Sequence, residues 1–199
     1  MAEKYRLIGL TGPSGSGKSE AAAILRAKGF TVLDCDRLAR EASAKGTAGL
    51  KAMIDAFGTE FLTEDGELNR RKLGAYVFAD PKRVEKLNSV THPYILALLD
   101  ERLTELDSHQ PVFLDAPTLF QSGLDRKCDR IILVTAPKAV RRERIMKRDG
   151  LSESAAEDRM SAQIDDAALR SLCDYVIEND GALASLKEKI EVVLYDVTP

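Results

Sequence analysis

Eight residues near the amino terminus constrain the fold of this chain more than any other feature. They read Gly-Pro-Ser-Gly-Ser-Gly-Lys-Ser at positions 12–19 and fit the pattern G-x-x-x-x-G-K-S. A strand-like apolar run from Arg6 to Leu10 precedes them, and a helical run from Glu20 to Lys28 follows. Glycine lets successive N–H groups turn toward one point, and the helix start adds partial positive charge. The segment is therefore predicted to cradle the phosphates of a nucleotide.

Two residues of this motif have specific chemical roles. Lys18 is expected to reach the β- and γ-phosphates of ATP, and the Ser19 hydroxyl to ligate Mg²⁺. An ordinary glycine turn would require neither a lysine nor a serine at these positions. The predicted ATP-binding residues are Gly12, Pro13, Ser14, Gly15, Ser16, Gly17, Lys18 and Ser19.

Five apolar runs of strand length predict an α/β fold. They lack the polar alternation of half-exposed strands, as expected for parallel strands that helices cover on both faces. With the phosphate motif, this pattern indicates the three-layer P-loop NTPase fold around a five-stranded parallel sheet. The predicted strands are Arg6–Leu10, Thr31–Leu33, Val112–Leu114, Arg130–Val134 and Tyr175–Ile177.

Two stretches are too long to be simple connections between strands. The stretch between the second and third strands predicts a helical insertion that binds the acceptor. The arginine-rich stretch Lys138–Gln163 predicts a mobile helical lid, the alternative being a solvated helix face. The expected organisation is a single domain over 1–199, with a core at about 1–37, 107–137 and 165–199, an insertion at about 38–106 and a lid at about 138–164.

Composition limits the classes of binding partner and the cellular compartment that we expect for this chain. The 29 basic and 32 acidic residues nearly cancel to a net charge of −3, which argues against nucleic-acid binding. No apolar run approaches the roughly 18 residues of a membrane span, and we expect neither a membrane anchor nor an obligate protein partner. Cys35, Cys128 and Cys173 lack metal-ligand spacing and are interpreted, like His109, as structural. A reduced, cytoplasmic location is the expectation.

The motif alone does not distinguish among the classes of P-loop protein. A regulatory GTPase needs an N-K-x-D base-recognition motif, which the residues 178–181, Glu-Asn-Asp-Gly, do not match. An insertion and an arginine-rich lid are instead typical of kinases resembling the nucleoside-monophosphate kinases. A kinase of nucleoside monophosphates or other small alcohols, and a nucleotide-dependent regulator, remain as alternatives.

Acidic residues follow two of the predicted strands. Asp34 and Asp36 come at the end of the second, where the carboxyl ends of strands line the crevice beside the phosphate loop. A carboxylate there can accept the proton of an attacking hydroxyl, although Asp36 can also be the N-cap of a helix starting at Arg37. Asp115 closes the third strand and is the candidate to hold Mg²⁺ through water; the alternative is a turn residue before Pro117.

Arginines of the predicted lid recur at helical spacing. Arg144 and Arg148 are four residues apart, so both guanidinium groups can face one side and close over phosphate. Arg159 and Gln163 repeat this spacing and could complete the lid. The alternative is that these arginines pair with neighbouring acids such as Asp149.

An ordered series of segments from Leu7 to Val192 resembles the dephospho-coenzyme A kinase family. The resemblance implies transfer of the γ-phosphate of ATP to the ribose 3′-hydroxyl of dephospho-coenzyme A, which gives coenzyme A and ADP. Besides the phosphate loop, the matching segments are Leu33–Arg40, Phe57–Gly58, Asp65–Leu73, Val77–Phe78, Leu87–Asn88, His92–Pro93, Asp115–Phe120, Arg144–Gly150, Arg159–Gln163 and Asn179.

The resemblance also implies roles for individual residues. Asp36 would be the base for the 3′-hydroxyl, and Arg144 and Arg148 would belong to the lid. His92 would shape the acceptor pocket, although a histidine before a proline is more often a loop or cap residue. Gln121 stands where the family usually has an acid, and this puts one acceptor contact in doubt. The residues implied on the acceptor side are Asp34, Asp36, Arg70, Arg71 and His92.

Overall fold

The structure is a computed structural model that describes residues 6–106 and 110–198. It divides into two compact units, Met1–Leu33 with Ser108–Pro199, and Asp34–Asp107. His109 and the expected domain boundary near residue 107 lie outside the described residues. No helix within the described ranges is both long and apolar enough to cross a membrane.

A five-stranded parallel sheet forms the centre of the first unit and confirms the predicted α/β fold. The strand order is β2-β3-β1-β4-β5, so the strand that leads into the phosphate loop is central. Every residue of β1 and β3 is buried, which explains their unbroken apolar sequences. The strands are β1 (Leu7–Thr11), β2 (Thr31–Asp34), β3 (Val112–Asp115), β4 (Arg130–Thr135) and β5 (Tyr175–Glu178).

Helices connect these strands and supply the rest of the core. Apolar side chains of the first and last helices pack with the sheet, among them Leu25, Leu186 and Ile190 against Ile8 and Phe113. The helices are α1 (Lys18–Ala27), α2 (Cys35–Ala42), α3 (Ala48–Phe57), α4 (Arg70–Val77), α5 (Pro81–Thr104), α6 (Lys138–Asp149), α7 (Glu153–Ser161), α8 (Asp166–Ser171) and α9 (Leu183–Val197), with 3₁₀ turns at Thr59–Phe61 and Leu124–Lys127.

The arginine-rich stretch folds as the helix pair α6 and α7. Gly150 ends α6 in the left-handed region, with φ of 66°, which reverses the chain. Ile145 then packs against Ala156 and Met160, so the pair has a small apolar core of its own. Arg142 of α6 also pairs with Glu153 and Glu157 of α7, which joins the two helices by charge.

The second unit is helical and has a separate core of Met53, Phe61, Leu73 and Val77. His92 and Pro93 lie inside α5, so the loop-or-cap alternative for His92 is wrong. Proline removes one N–H donor from the helix ladder, and the 24 residues of α5 continue through that single loss.

Candidate functional site

The strand register surrounds the phosphate loop with the carboxyl ends of its neighbours. Leu10 of β1 pairs with Asp115 of β3, and Thr11 pairs with Leu133 of β4. Asp115 and Val134 therefore flank the point where the chain leaves β1 and enters the loop. Within the first unit, this edge of the sheet is where a bound polyphosphate would lie.

Two loop glycines are required by the backbone that packs against them. A Cβ at Gly12 would lie 2.3 Å from the Val134 carbonyl oxygen. A Cβ at Gly15 would lie 2.5 Å from the Arg141 carbonyl oxygen, and Gly15 also has a φ of 78°. Neither contact can be relieved by moving a side chain, because both involve backbone atoms. The loop thus depends on glycine for close approach as well as for conformation.

Lys18 and Asp115 form an ion pair at the base of the loop. The Lys18 Nζ donates to Asp115 Oδ1, and both side chains are largely buried. Arg26 of α1 places its Nη2 4.0 Å from the second carboxylate oxygen of Asp115. The predicted phosphate-binding lysine and the predicted Mg²⁺-site carboxylate are thus brought together at one point.

Lid residues of α6 and the chain after α7 contact the same loop. The Arg144 Nη1 lies 3.3 Å from the Gly15 carbonyl oxygen, and the Arg148 Nη2 lies 3.4 Å from the Ser14 hydroxyl. The Ser14 N–H donates to Gln163 Oε1 at 3.0 Å. Three of the four predicted lid residues therefore reach the phosphate loop directly.

Asp149 holds the outer arginines of the lid. It accepts two hydrogen bonds of 2.8 Å from Arg148 and one of 2.7 Å from Arg159. The hydrogen bond from Arg148, with the charges of both arginines, lowers the pKa of the Asp149 carboxyl. Arg148 and Arg159 therefore pair with a neighbouring acid, as the alternative for the lid arginines had it. Arg144 instead contacts the phosphate loop.

The sequence pattern did not single out Arg141, which lies in the first turn of α6. The buried Arg141 side chain donates from Nε to the Ala136 carbonyl at 3.1 Å and pairs with Asp166 at 2.5 Å. It fixes the start of α6 to the end of β4 and to α8. One buried arginine among several exposed ones leaves no mark in an arginine-rich sequence, so no signal in the chain could have selected it.

Asn179, directly after β5, is part of the family resemblance but received no role from the sequence. Its backbone N–H donates to the Thr135 carbonyl at 2.7 Å, and its side-chain Nδ2 donates to the Ser16 carbonyl at 2.9 Å. Asn179 is 6% exposed. Its position one residue past a strand was the available signal, because the carboxyl ends of parallel strands line the site.

The aspartates after β2 differ from their expected arrangement. Asp34, not Asp36, is the N-cap of α2: its Oδ1 accepts from the Arg37 N–H at 3.0 Å. The alternative of Asp36 as N-cap is wrong because the helix begins at Cys35, two residues earlier than expected. Asp36 is exposed in the first turn of α2.

The remaining acceptor-side residues belong to the second unit. The Arg70 Nη2 donates to the Arg40 carbonyl at 3.0 Å and to the Ser43 hydroxyl at 2.9 Å, at the opposite end of α2 from Asp36. Desolvation, followed by the charge of Arg40, lowers the pKa of Arg70. Arg71 is exposed, and burial lowers the pKa of His92. The structure brings Arg70 into contact with the carboxyl-terminal end of α2.

Cys35, Cys128 and Cys173 are thiols and not disulfides. Burial, with Asp125 and Asp129 nearby, raises the pKa of Cys128 to about 12. Burial beside Asp174 raises the pKa of Cys173 to about 11. Because the thiolate is the reactive form, neither side chain is suited to nucleophilic chemistry at neutral pH.

Comparison with known proteins supplies the family. The family model described as dephospho-CoA kinase matches residues 6–185. The chain belongs to the dephospho-CoA kinase family. A dephospho-CoA kinase of Anaeromyxobacter dehalogenans is 43% identical over 196 residues, 96% of this chain and 92% of the relative. One of Oryza sativa is 38% identical over 195 residues, covering 97% of this chain and 85% of the relative.

Solved structures agree with this family. A dephospho-CoA kinase from Campylobacter jejuni aligns with a TM-score of 0.71 at 27% identity, covering 96% of each chain. The protein TT1252 from Thermus thermophilus aligns with a TM-score of 0.86 at 36% identity, covering 99% of this chain and all of that one. A shikimate kinase from Acinetobacter baumannii, at 18% identity and a TM-score of 0.52, shares the fold alone.

Gly15→Ala is expected to weaken ADP binding by more than about tenfold, because the added Cβ collides with the Arg141 backbone and shifts the loop. Gly29→Ala is the matched control: Gly29 has a φ of 91°, and its Cβ would meet nothing within 4 Å. It introduces the same backbone strain without a collision. Calorimetric titration with ADP should show normal affinity for the control, and equal affinities in both variants would contradict the steric argument.

The cysteine pKa values predict slow, ordered alkylation. At pH about 8, Cys173 should react with iodoacetamide roughly tenfold faster than Cys128, and both far more slowly than an ordinary thiol. Raising the pH by about two units should speed both reactions about a hundredfold, because the thiolate fraction rises tenfold per unit below the pKa. Peptide mass spectrometry over time measures both rates. Labelling of Cys128 as fast as a model thiol would show that it is not buried.

Proposed function

We propose that this chain transfers the γ-phosphoryl group of ATP to the ribose 3′-hydroxyl of dephospho-CoA, giving CoA and ADP. The observation that supports this most is the phosphate loop 12–19, which has Lys18 and the lid arginines around it, in a chain of this family. Phosphoryl transfer needs positioning and charge stabilisation more than covalent chemistry. The described residues of the loop and lid supply both.

ATP binding is assigned to the loop and Lys18. The loop N–H groups and the start of α1 would hold the phosphates, and the Lys18 ammonium would contact the β- and γ-oxygens. In this structure that ammonium is paired with Asp115. Asp115 would hold the Lys18 ammonium group beside the loop. A bound phosphate would then give that ammonium group a second anionic partner.

Mg²⁺ is proposed to be held by Ser19 and, through water, by Asp115. Mg²⁺ prefers oxygen ligands and keeps several waters, so one hydroxyl and one nearby carboxylate fit it. Within residues 6–106 and 110–198, no group of three or more His, Cys, Asp or Glu forms a metal cluster. When bound, the ion would neutralise charge on the phosphate oxygens.

Acceptor binding and proton transfer are assigned to the second unit. We propose Asp36 as the base, because its exposed carboxylate lies in the first turn of α2 and is not used as that helix's N-cap. Its role would be to accept the proton of the 3′-hydroxyl and to orient that oxygen. Asp34, Arg70, Arg71 and His92 remain proposed acceptor contacts.

Lid closure would exchange one set of anions for another. Arg148 and Arg159 are held by Asp149 at the surface, and phosphate oxygens can replace that carboxylate. Arg144 and Gln163 already contact the loop, so they would anchor the lid during the exchange. Closing would exclude water and limit hydrolysis of ATP. We also propose a cytoplasmic location, where the three cysteine thiols would stay reduced.

Asp36→Asn is expected to lower kcat by about 10²- to 10⁴-fold, because the proton acceptor is lost. Its affinity for ADP should not change. The assay follows CoA formation from Mg²⁺-ATP and dephospho-CoA, with the phosphate located on the ribose 3′ oxygen by NMR. Asp55→Asn, at an exposed position of α3 with no proposed role, is the matched control. Normal turnover of Asp36→Asn would remove it from the base role, and phosphate on another atom would overturn the proposed reaction.

A further inference from the structure

We infer that Asn179 is a positioning residue for nucleotide binding. Its side chain holds the Ser16–Gly17 peptide in the orientation that points the Gly17 N–H at the bound phosphates. The inference deepens the proposed function and rests on it for the identity of the nucleotide.

The backbone of Asn179 is fixed before its side chain is used. Its N–H donates to the Thr135 carbonyl at 2.7 Å, which extends the β4–β5 pairing by one residue past Glu178. The side chain is therefore placed by the sheet and not by a loose connection. From that position its Nδ2 reaches the Ser16 carbonyl at 2.9 Å.

The geometry of the peptide bond converts this contact into an orientation. A trans peptide is planar, and its C=O and N–H point in opposite directions. Asn179 and, at 3.4 Å, Arg144 both donate to the Ser16 carbonyl from outside the loop. The N–H of the same peptide, which belongs to Gly17, is consequently directed into the loop.

This orientation needs an external restraint because of the residue that follows. Gly17 has a φ of 88°, and glycine populates positive and negative φ about equally. A peptide next to glycine can therefore rotate and present its carbonyl oxygen, which would repel phosphate. Holding the carbonyl removes that freedom before the nucleotide arrives.

Close packing shows that the restraint is direct. A Cβ at Gly17 would lie 2.0 Å from the Asn179 Nδ2, so no room is left for an intervening water. The amide of Asn179 is uncharged, so it holds the Ser16 carbonyl without adding charge to the site. Arg144 and Lys18 supply positive charge close by, while Glu178 and Asp180 are bound by Arg170 and Lys189, respectively.

Asn179→Ala and Asn179→Leu test the inference together. Both remove the donor, but leucine keeps roughly the same side-chain bulk. We expect ADP to bind about three- to tenfold more weakly to each variant, because one hydrogen bond to the loop is lost. The leucine variant should bind ADP no more tightly than the alanine variant. In the full assay the KM for ATP should rise by the same factor, while kcat and the KM for dephospho-CoA should stay within about twofold. The control is Asp180→Asn, which loses only an exposed ion pair to Lys189 and should bind ADP normally.

Titration with ADP alone decides the result without any acceptor, so an error in the proposed reaction would leave this test valid. Thermal unfolding confirms that each variant is folded, and the alanine variant carries the test if the leucine variant does not fold. Wild-type ADP affinity in the alanine variant would overturn the inference, even with a lowered melting temperature. Recovery of wild-type affinity by leucine would also overturn it, because packing and not the donor would then be the contribution of Asn179.

Discussion

The backbone of the phosphate loop, held by close contacts with its neighbours, is the constraint on which the proposed nucleotide site depends. A loop can present several donors to one anion only if its carbonyls face outward and find partners there. The partners are the side chains of Asn179 and Arg144, and the backbones of Val134 and Arg141 close the remaining space. Central β1 has β4 on one side, whose Val134 backbone packs against the loop, and β3 on the other, whose Asp115 pairs with Lys18.

Charge around the loop is arranged for exchange. Lys18 is paired with Asp115, and Arg148 and Arg159 are paired with Asp149, so the cations are held close to the site without nucleotide. The two pairs with Asp149 involve exposed arginines and contribute little net stability, so phosphate could replace that carboxylate readily. The Arg141–Asp166 pair differs, because the Arg141 side chain is buried and loss of Asp166 would leave its charge with reduced access to water. It therefore fixes the base of α6, while the outer arginines can change partners.

The sequence predicted the five strands and the phosphate loop because each depends on local pattern. It predicted the roles of side chains less well where a shift of one or two residues in the start of a helix changes which residue is the cap. Asp34 and Asp36 were both proposed for the acceptor side, and Asp36 was also a candidate N-cap. The start of α2 at Cys35 shows that Asp34 is the N-cap. For His92, whose implied role was in the acceptor pocket, the loop-or-cap alternative failed because α5 continues through Pro93. Arg141 acts through a contact with Asp166 that composition and spacing do not encode, and the position of Asn179 after β5 indicated the site but not its contact with Ser16.

The central claim is that the chain phosphorylates dephospho-CoA and not another small alcohol. The most direct measurement is Mg²⁺-dependent ADP formation from ATP with dephospho-CoA, AMP, CMP, UMP or no acceptor, compared side by side. The account predicts stimulation by dephospho-CoA alone. Stimulation by a nucleoside monophosphate would contradict the acceptor assignment while leaving the phosphate loop intact, and no stimulation by any acceptor would contradict the proposed kinase activity.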